Sequence, residues 1–501
     1  MLKDDLEKLV LSLSASEKKS FKLHCNTYRG RKDYLDLFNL LSESPERAQE
    51  LFRKKHPSKS YENTAAYLLK ILLEMLVQIR TDQDKWFSKY HGLMKARLCF
   101  ERALPGKGIK ELKKVQSLAR ETQDHLIEHL ASRMELSQLA DSGFPELTEQ
   151  DLINRQMKSR NTLQTLRRIQ EHYSLYELLS YRLLHPETPT KGNKDKKFTD
   201  LVLSELSITT QGSHHQYESK KLHLLFQSYF LIHTGEYRSA IKVFRELNEL
   251  IEKHEHMWNF PPYDYLSSLE GILDALRSIR HIREMEYFLG KLEHLSSKQY
   301  PEHFVNRLRQ IQHLYRLTIL IESGNLAEAT ALFESIKRGT RELERITDGE
   351  KYPELLFLGG LAFFQKGDRQ KANRYIGQAI DAGKNCSNPL IYRSCRLLYV
   401  IIHYEMDNID YLQYEIRAYK RAFHKRGRSF LVEKLIFTII TLDPKRCSGP
   451  KKKIVWKKVK PQMAVILNDR YELQLLKYFD FCKWIRNKVG SETYQNEQWS
   501  V

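Results

Sequence analysis

Apolar residues recur at three- and four-residue intervals through most of the chain, and no long stretch alternates strictly between apolar and polar residues. The first spacing lines one face of an α-helix, whereas strict alternation would line one face of a strand. The pattern therefore predicts an all-α protein. Ser14-Ala-Ser-Glu17 stands ahead of Phe21 and Leu23 as a capping box, in which a hydroxyl and a carboxylate each satisfy the other residue's backbone N–H. Residues 34–41 and 45–52 read as short helices and 61–80 as a long buried one, so 1–85 form an N-terminal helical unit.

Residues 86–198 continue as helices. Turns are expected at Pro105-Gly-Lys-Gly108 and Asp141-Ser-Gly-Phe-Pro145. Residues 185–197, HPETPTKGNKDKK, have no apolar side chain and predict a mobile loop. A recurring grammar fills 199–443. An apolar helix ends at Gly235, and Tyr237, Ala240 and Phe244 then open a second helix. Gly324 is followed in the same way by Leu326, Ala329 and Phe333, and Gly367 by Ala372 and Ile376. Weaker copies turn at Arg280 and Asp407. The five turn positions are 45, 44, 43 and 40 residues apart.

Over residues 221–425 this grammar resembles the tetratricopeptide repeat family. In the best copy, 353–384, Gly360 and Ala372 are the small residues at a helix crossing, and Phe363 and Ala379 take apolar positions. The copies are longer than the family's unit of about 34 residues. Arg369 replaces the usual apolar residue after the turn, and the closing proline is missing. The resemblance implies an α-solenoid of lengthened antiparallel helix pairs. Residues 471–489 read as a final amphipathic helix capping the last pair. The family's first helices line a binding groove, so Tyr229, Phe364 and Tyr404 become candidate contacts for a peptide or partner helix.

Charge sharpens the picture. The formal net charge is +19. Residues 411–501 hold 20 Lys and Arg against 8 Asp and Glu, which is most of the excess. The candidate basic patch comprises Lys425, Arg426 and Arg428, then Lys451, Lys452, Lys453, Lys457 and Lys458, within a basic loop of the 444–501 region. Lysines neutralise phosphates, and Trp456 beside them could stack on a base. The partner expected first is an acidic protein or peptide held by the groove, with nucleic acid on the basic face as the alternative.

Six scattered cysteines form no Cys-x-x-Cys pair and predict reduced thiols. The acidic start, with Asp4, Asp5 and Glu7, predicts no signal peptide. The most apolar stretch, 65–79, is too short to span a bilayer. A cytoplasmic protein without membrane attachment is expected. One motif carries catalytic chemistry: His125-Leu-Ile-Glu128-His129 has the spacing of an inverted zincin, with Glu205 at the distance of a third ligand. That family is built on β-sheets, however, and the motif sits in an ordinary amphipathic helix. The sequence therefore predicts a non-catalytic scaffold or adaptor, with no metal and no cofactor.

Overall fold

The computed structural model describes residues 2–27, 33–145, 147–184, 194–210, 216–298, 300–343, 351–384, 389–423, 429–442 and 449–489. Among them are twenty-four α-helices and no strand. None of these helices is long and apolar enough to cross a membrane. The chain divides into two compact units. The first takes the described residues of Met1–Gln170, His256–Pro261 and Gln299–Val305; the second takes those of Glu171–Glu255, Pro262–Lys298 and Asn306–Val501.

The first unit contains α1 (Leu2–Ser12), α2 (Ala15–Thr27), α3 (Asp33–Glu43), α4 (Ala48–Lys55), α5 (Tyr61–Gln83), α6 (Lys85–Glu101), α7 (Pro105–Glu121) and α8 (His125–Asp141). Helix α9 (Glu149–Leu184) crosses the division at Gln170. The expected capping box opens α2: Ser14 N–H donates to Glu17 Oε2 at 2.8 Å, and Glu17 N–H donates to Ser14 Oγ at 3.2 Å. Phe21 is fully buried, whereas Leu23 points outward at 60% exposure. Leu6, Val10, Phe21, Phe38, Phe52, Leu68 and Leu72 share one core around α5. Pro105-Gly-Lys-Gly108 corrects the expected turn: it is the first turn of α7, where proline's missing N–H costs nothing. The chain reverses instead at Ala103, in the left-handed region at φ 56°.

The second unit contains α10 (Lys194–Thr210), α11 (Tyr217–Thr234), α12 (Tyr237–Lys253), α13 (Tyr263–Ser278), α14 (Ile282–Ser296), α15 (Glu302–Glu322, which crosses the division at Val305), α16 (Leu326–Leu343), α17 (Lys351–Lys366) and α18 (Arg369–Gly383). It continues through α19 (Pro389–Glu405), α20 (Ile409–Phe423), α21 (Leu431–Leu442), α22 (Gly449–Asn468), α23 (Arg470–Leu476) and α24 (Phe481–Val489). Of the expected loop at 185–197, residues 185–193 lie outside the described residues, and the rest begin α10.

All five turn positions adopt the left-handed conformation: Gly235, Arg280, Gly324, Gly367 and Asp407 have φ of 81°, 59°, 78°, 97° and 57°. Each is followed by the same backbone bond, from the next N–H to the carbonyl five residues earlier. Examples are Glu236 to Leu231 at 2.9 Å, His281 to Leu276 at 3.0 Å and Asn408 to His403 at 3.2 Å. This is the Schellman helix end, which satisfies orphaned carbonyls and reverses the chain. Packing then runs in order, α11 on α12, α12 on α13, α13 on α14, and α16 through α20 likewise, consistent with a helical repeat.

Small residues set the approach between helices. A Cβ at Gly360 would lie 2.6 Å from Ile376 Cδ1 on α18, and Ala372 is fully buried. A Cβ at Gly359 would lie 2.3 Å from the ring of Phe333 on α16. Gly359→Ala should therefore cost about 1–3 kcal/mol by overpacking. A urea midpoint unchanged from wild type would contradict this reading of the crossing.

Candidate nucleic-acid interface

The lysine segment is helical, which corrects the expectation of a basic loop. Helix α22 has six lysines and no acidic residue over its 20 residues. Trp456, Val459, Met463 and Ile466 recur at helical spacing and are all buried, and α22 packs on α21, α23 and α24. That stripe holds the helix in place through Pro461. Trp456 thus belongs to the core and is not free to stack on a base.

The opposite face is exposed at Lys451, Lys453, Lys457 and Lys458, with Lys452 half-buried. None of these five forms an ion pair among the described residues. Lys453 and Lys457 are one turn apart, and Lys451 and Lys458 two turns apart. Like charges at these spacings repel across one helix face. Such a face is therefore suited to a ligand that supplies negative charge. Lys425, Arg426 and Arg428, the other part of the expected patch, lie outside the described residues.

The three groove aromatics are covered by the chain itself. Tyr229 sits between the rings of Tyr176 and Phe244, at centroid distances of 5.9 and 6.3 Å. Phe479 packs edge-on against Phe364 at 6.3 Å, and Trp484 against Tyr404 at 6.1 Å. Phe479 and Trp484 come from the C-terminal segment. Sequence periodicity predicts a single helix there, but residues 477–480 divide it into α23 and α24.

The divided segment packs on α21 as a cap should, and it also contacts the ends of the first helices of several pairs. Arg470 meets Glu236 at 2.5 Å, and its carbonyl oxygen lies 2.9 Å from where a Cβ on Gly235 would stand. Gln474 Nε2 donates to His233 O at 2.8 Å. Trp484 Nε1 donates to Glu405 Oε1 at 3.1 Å. The Glu472 carboxylate accepts N–H bonds from Leu431 and Val432 at 2.5 and 3.2 Å, capping the start of α21.

A buried ionic chain anchors this brace. Asp274 accepts from Lys477 Nζ at 2.5 Å and from Arg277 Nη2 at 2.6 Å, and Arg277 Nη1 donates to Glu354 at 2.5 Å. Lys351 pairs with Glu270 nearby. Burial alone would raise the Asp274 carboxyl, but Lys477 and Arg277 hold it well below the usual carboxylate range. Burial is likewise outweighed at Glu354 by Arg277 and Lys351. Sequence reading did not single these residues out, since they are scattered over 200 positions of an ordinary charged surface pattern.

The candidate zinc residues are committed elsewhere. Glu128 is buried and accepts from Arg120 at 2.8 Å, with Lys158 at 3.8 Å. His129 Nδ1 lies 3.1 Å from Ser159 Oγ, and His125 Nδ1 lies 3.7 Å from Glu128. Glu205 pairs with His172 and His223. Burial would raise the Glu205 carboxyl, yet the two neighbouring histidines lower it below its ordinary value. Among the described residues no group of three or more His, Cys, Asp or Glu side chains is arranged to hold a metal ion.

No protein-family model matches the sequence, and no curated protein matches it.

Proposed function

We propose that this chain is a non-catalytic binding protein of tetratricopeptide-like helix pairs that docks on the phosphate backbone of a nucleic acid through α22. The observation carrying this reading is the lysine face: four exposed ammonium groups, no carboxylate on the helix, and a buried stripe that fixes their direction. Cations fixed on the exposed side of a packed helix are suited to a polyanion, and neutralising phosphates releases condensed counterions. The peptide-groove reading draws less support, because the chain's own residues 470–489 cover Phe364 and Tyr404.

The test is fluorescence anisotropy of a labelled DNA duplex titrated with nuclease-treated protein. Exchanging Lys451, Lys453, Lys457 and Lys458 together for Gln should weaken binding by on the order of tenfold or more and flatten its salt dependence. Unchanged affinity in that variant would remove α22 as the site. Binding of an acidic polypeptide in preference to DNA would transfer the face to a protein partner.

A further inference from the structure

A second cationic surface lies in the first unit, where neither repeat grammar nor motif points. Residues 85–120, covering α6 and nearly all of α7, hold ten Lys and Arg against two Glu. The two helices are packed closely as an antiparallel pair. A Cβ on Gly92 would lie 2.4 Å from Val115 Cγ2, and one on Gly108 would lie 2.3 Å from the Phe100 ring. Part of the charge is consumed by structure. Lys85 pairs with Glu121, Lys89 with Asp124, Arg97 with Glu101 and Arg120 with Glu128.

The remainder gathers at the end of the pair near the Ala103 turn. Lys95 from α6 and Lys107, Lys110 and Lys114 from α7 line an open cleft of about 520 Å³ together with Leu98, Cys99 and Glu111. Its single carboxylate, Glu111, is bonded by Lys114 at 2.7 Å. Lys114's hydrogen bond, together with the charges of Lys95 and Lys110, lowers that carboxyl below its ordinary value. Lys95, Lys107 and Lys110 form no ion pair among the described residues. The cleft therefore holds four ammonium groups against one carboxylate. From Lys107 to Lys114 the lysines on α7 span about 10 Å of helix axis, longer than one phosphate and suited to successive ones.

We infer that the α6–α7 cleft is a second nucleic-acid contact, which takes consecutive backbone phosphates in competition with Glu111. It rests on the reading of this chain as a nucleic-acid-binding protein, and its residues are separate from those of α22. A free small anion would need one convergent pair of donors. A row with one repelling carboxylate at its centre instead makes a prediction that a purely structural lysine cluster does not.

The experiment titrates full-length protein into a labelled DNA strand or duplex of about 20 nucleotides, at low and at physiological salt. It compares wild type, Glu111→Gln, and the joint exchange of Lys95, Lys107 and Lys110 for Gln, each with α22 intact and with its four exposed lysines neutralised. Glu111→Gln should tighten binding by about two- to fivefold, since a repulsion next to the phosphates is removed. The triple exchange should weaken it by on the order of tenfold and reduce the slope of log affinity against log salt by about two to three.

Both effects should persist in the α22-neutralised protein. If neither variant moves affinity or slope while the α22 variant does, the cleft is overturned and the α22 reading stands. If the cleft variants act and the α22 variant does not, the cleft stands and α22 is withdrawn as the site. If wild type binds no DNA at low salt, both fall. Tight binding of an acidic polypeptide that these variants weaken, with none of DNA, would overturn the nucleic-acid assignment of the cleft.

Discussion

Replacing Lys477 with Met should cost the second unit about 3–5 kcal/mol, the usual penalty for leaving a buried charge without its partner. Asp274 would keep Arg277 but lose the closer of its two cations, in a site where Arg277 is buried and the Asp274 and Lys477 side chains are only 18% and 13% exposed. The group is balanced in wild type apart from Arg307, a 40% exposed side chain that reaches Glu270 at 4.0 Å. Asp274, Glu354 and Glu270 carry three negative charges, and Arg277, Lys351 and Lys477 carry three positive ones. Removing Lys477 leaves Asp274 with Arg277 alone, a cation it shares with Glu354. The measurement is the urea midpoint at neutral pH, followed by a probe of the second unit such as Trp484 fluorescence. The double exchange Lys477→Met with Asp274→Leu should recover part of the loss, because removing both charges also removes the desolvation cost. A single variant as stable as wild type would show that the brace does not depend on this pair.

Ending the chain at Asp469 should have a still larger effect. The segment removed buries Leu475, Leu476, Tyr478, Phe479, Phe481, Trp484 and Ile485, and several of these are wholly inaccessible. At roughly 1.5–3 kcal/mol for each large side chain, the loss matches or exceeds the 5–15 kcal/mol that holds a typical domain folded. It also uncaps α21 by removing Glu472 and exposes the ionic chain at Asp274. The truncated chain should lose the cooperative unfolding of α11 to α21 and become sensitive to protease there. A thermal transition at the wild-type temperature would mean that the repeats stand without the brace, and would return Phe364 and Tyr404 to candidacy as an open groove.

These two expectations could not have been reached from periodicity. The five left-handed turns were legible because the sequence advertises them with glycine, or with a steady interval where Arg280 and Asp407 stand in its place. The same helix end recurs in the first unit at Ala103 and Gln123, with Leu104 N–H bonding Cys99 O and Asp124 N–H bonding Ala119 O, both at 2.8 Å. No glycine marks those turns, so only their geometry reveals them. Ser14 and Glu17 could be paired on paper because a capping box is local in sequence. Lys477 and Asp274 could not, because 203 positions separate them.

The lysine helix was half legible. Its charge run was plain, but lysines and one proline suggested a loop. What makes it a helix is the buried stripe Trp456, Val459, Met463 and Ile466, which needs the surfaces of α21 and α24 in order to form. The groove aromatics show the reverse case. Tyr229, Phe364 and Tyr404 fall on the helices expected of them, but a sequence does not say that a distant segment of the same chain will lie over two of them. The cleft between α6 and α7 was missed because its lysines are spread over two helices and become a cluster only when Gly92 and Gly108 let those helices close.

The central claim is that exposed lysines of α22 neutralise nucleic-acid phosphates, and one measurement reaches it most directly. The affinity of wild-type protein for a labelled duplex is determined over a series of salt concentrations. Four exposed lysines predict that log affinity falls linearly with log salt, with a slope of about −3.5 or steeper. A slope near zero, or no binding at low salt despite a net charge of +19, would contradict the account.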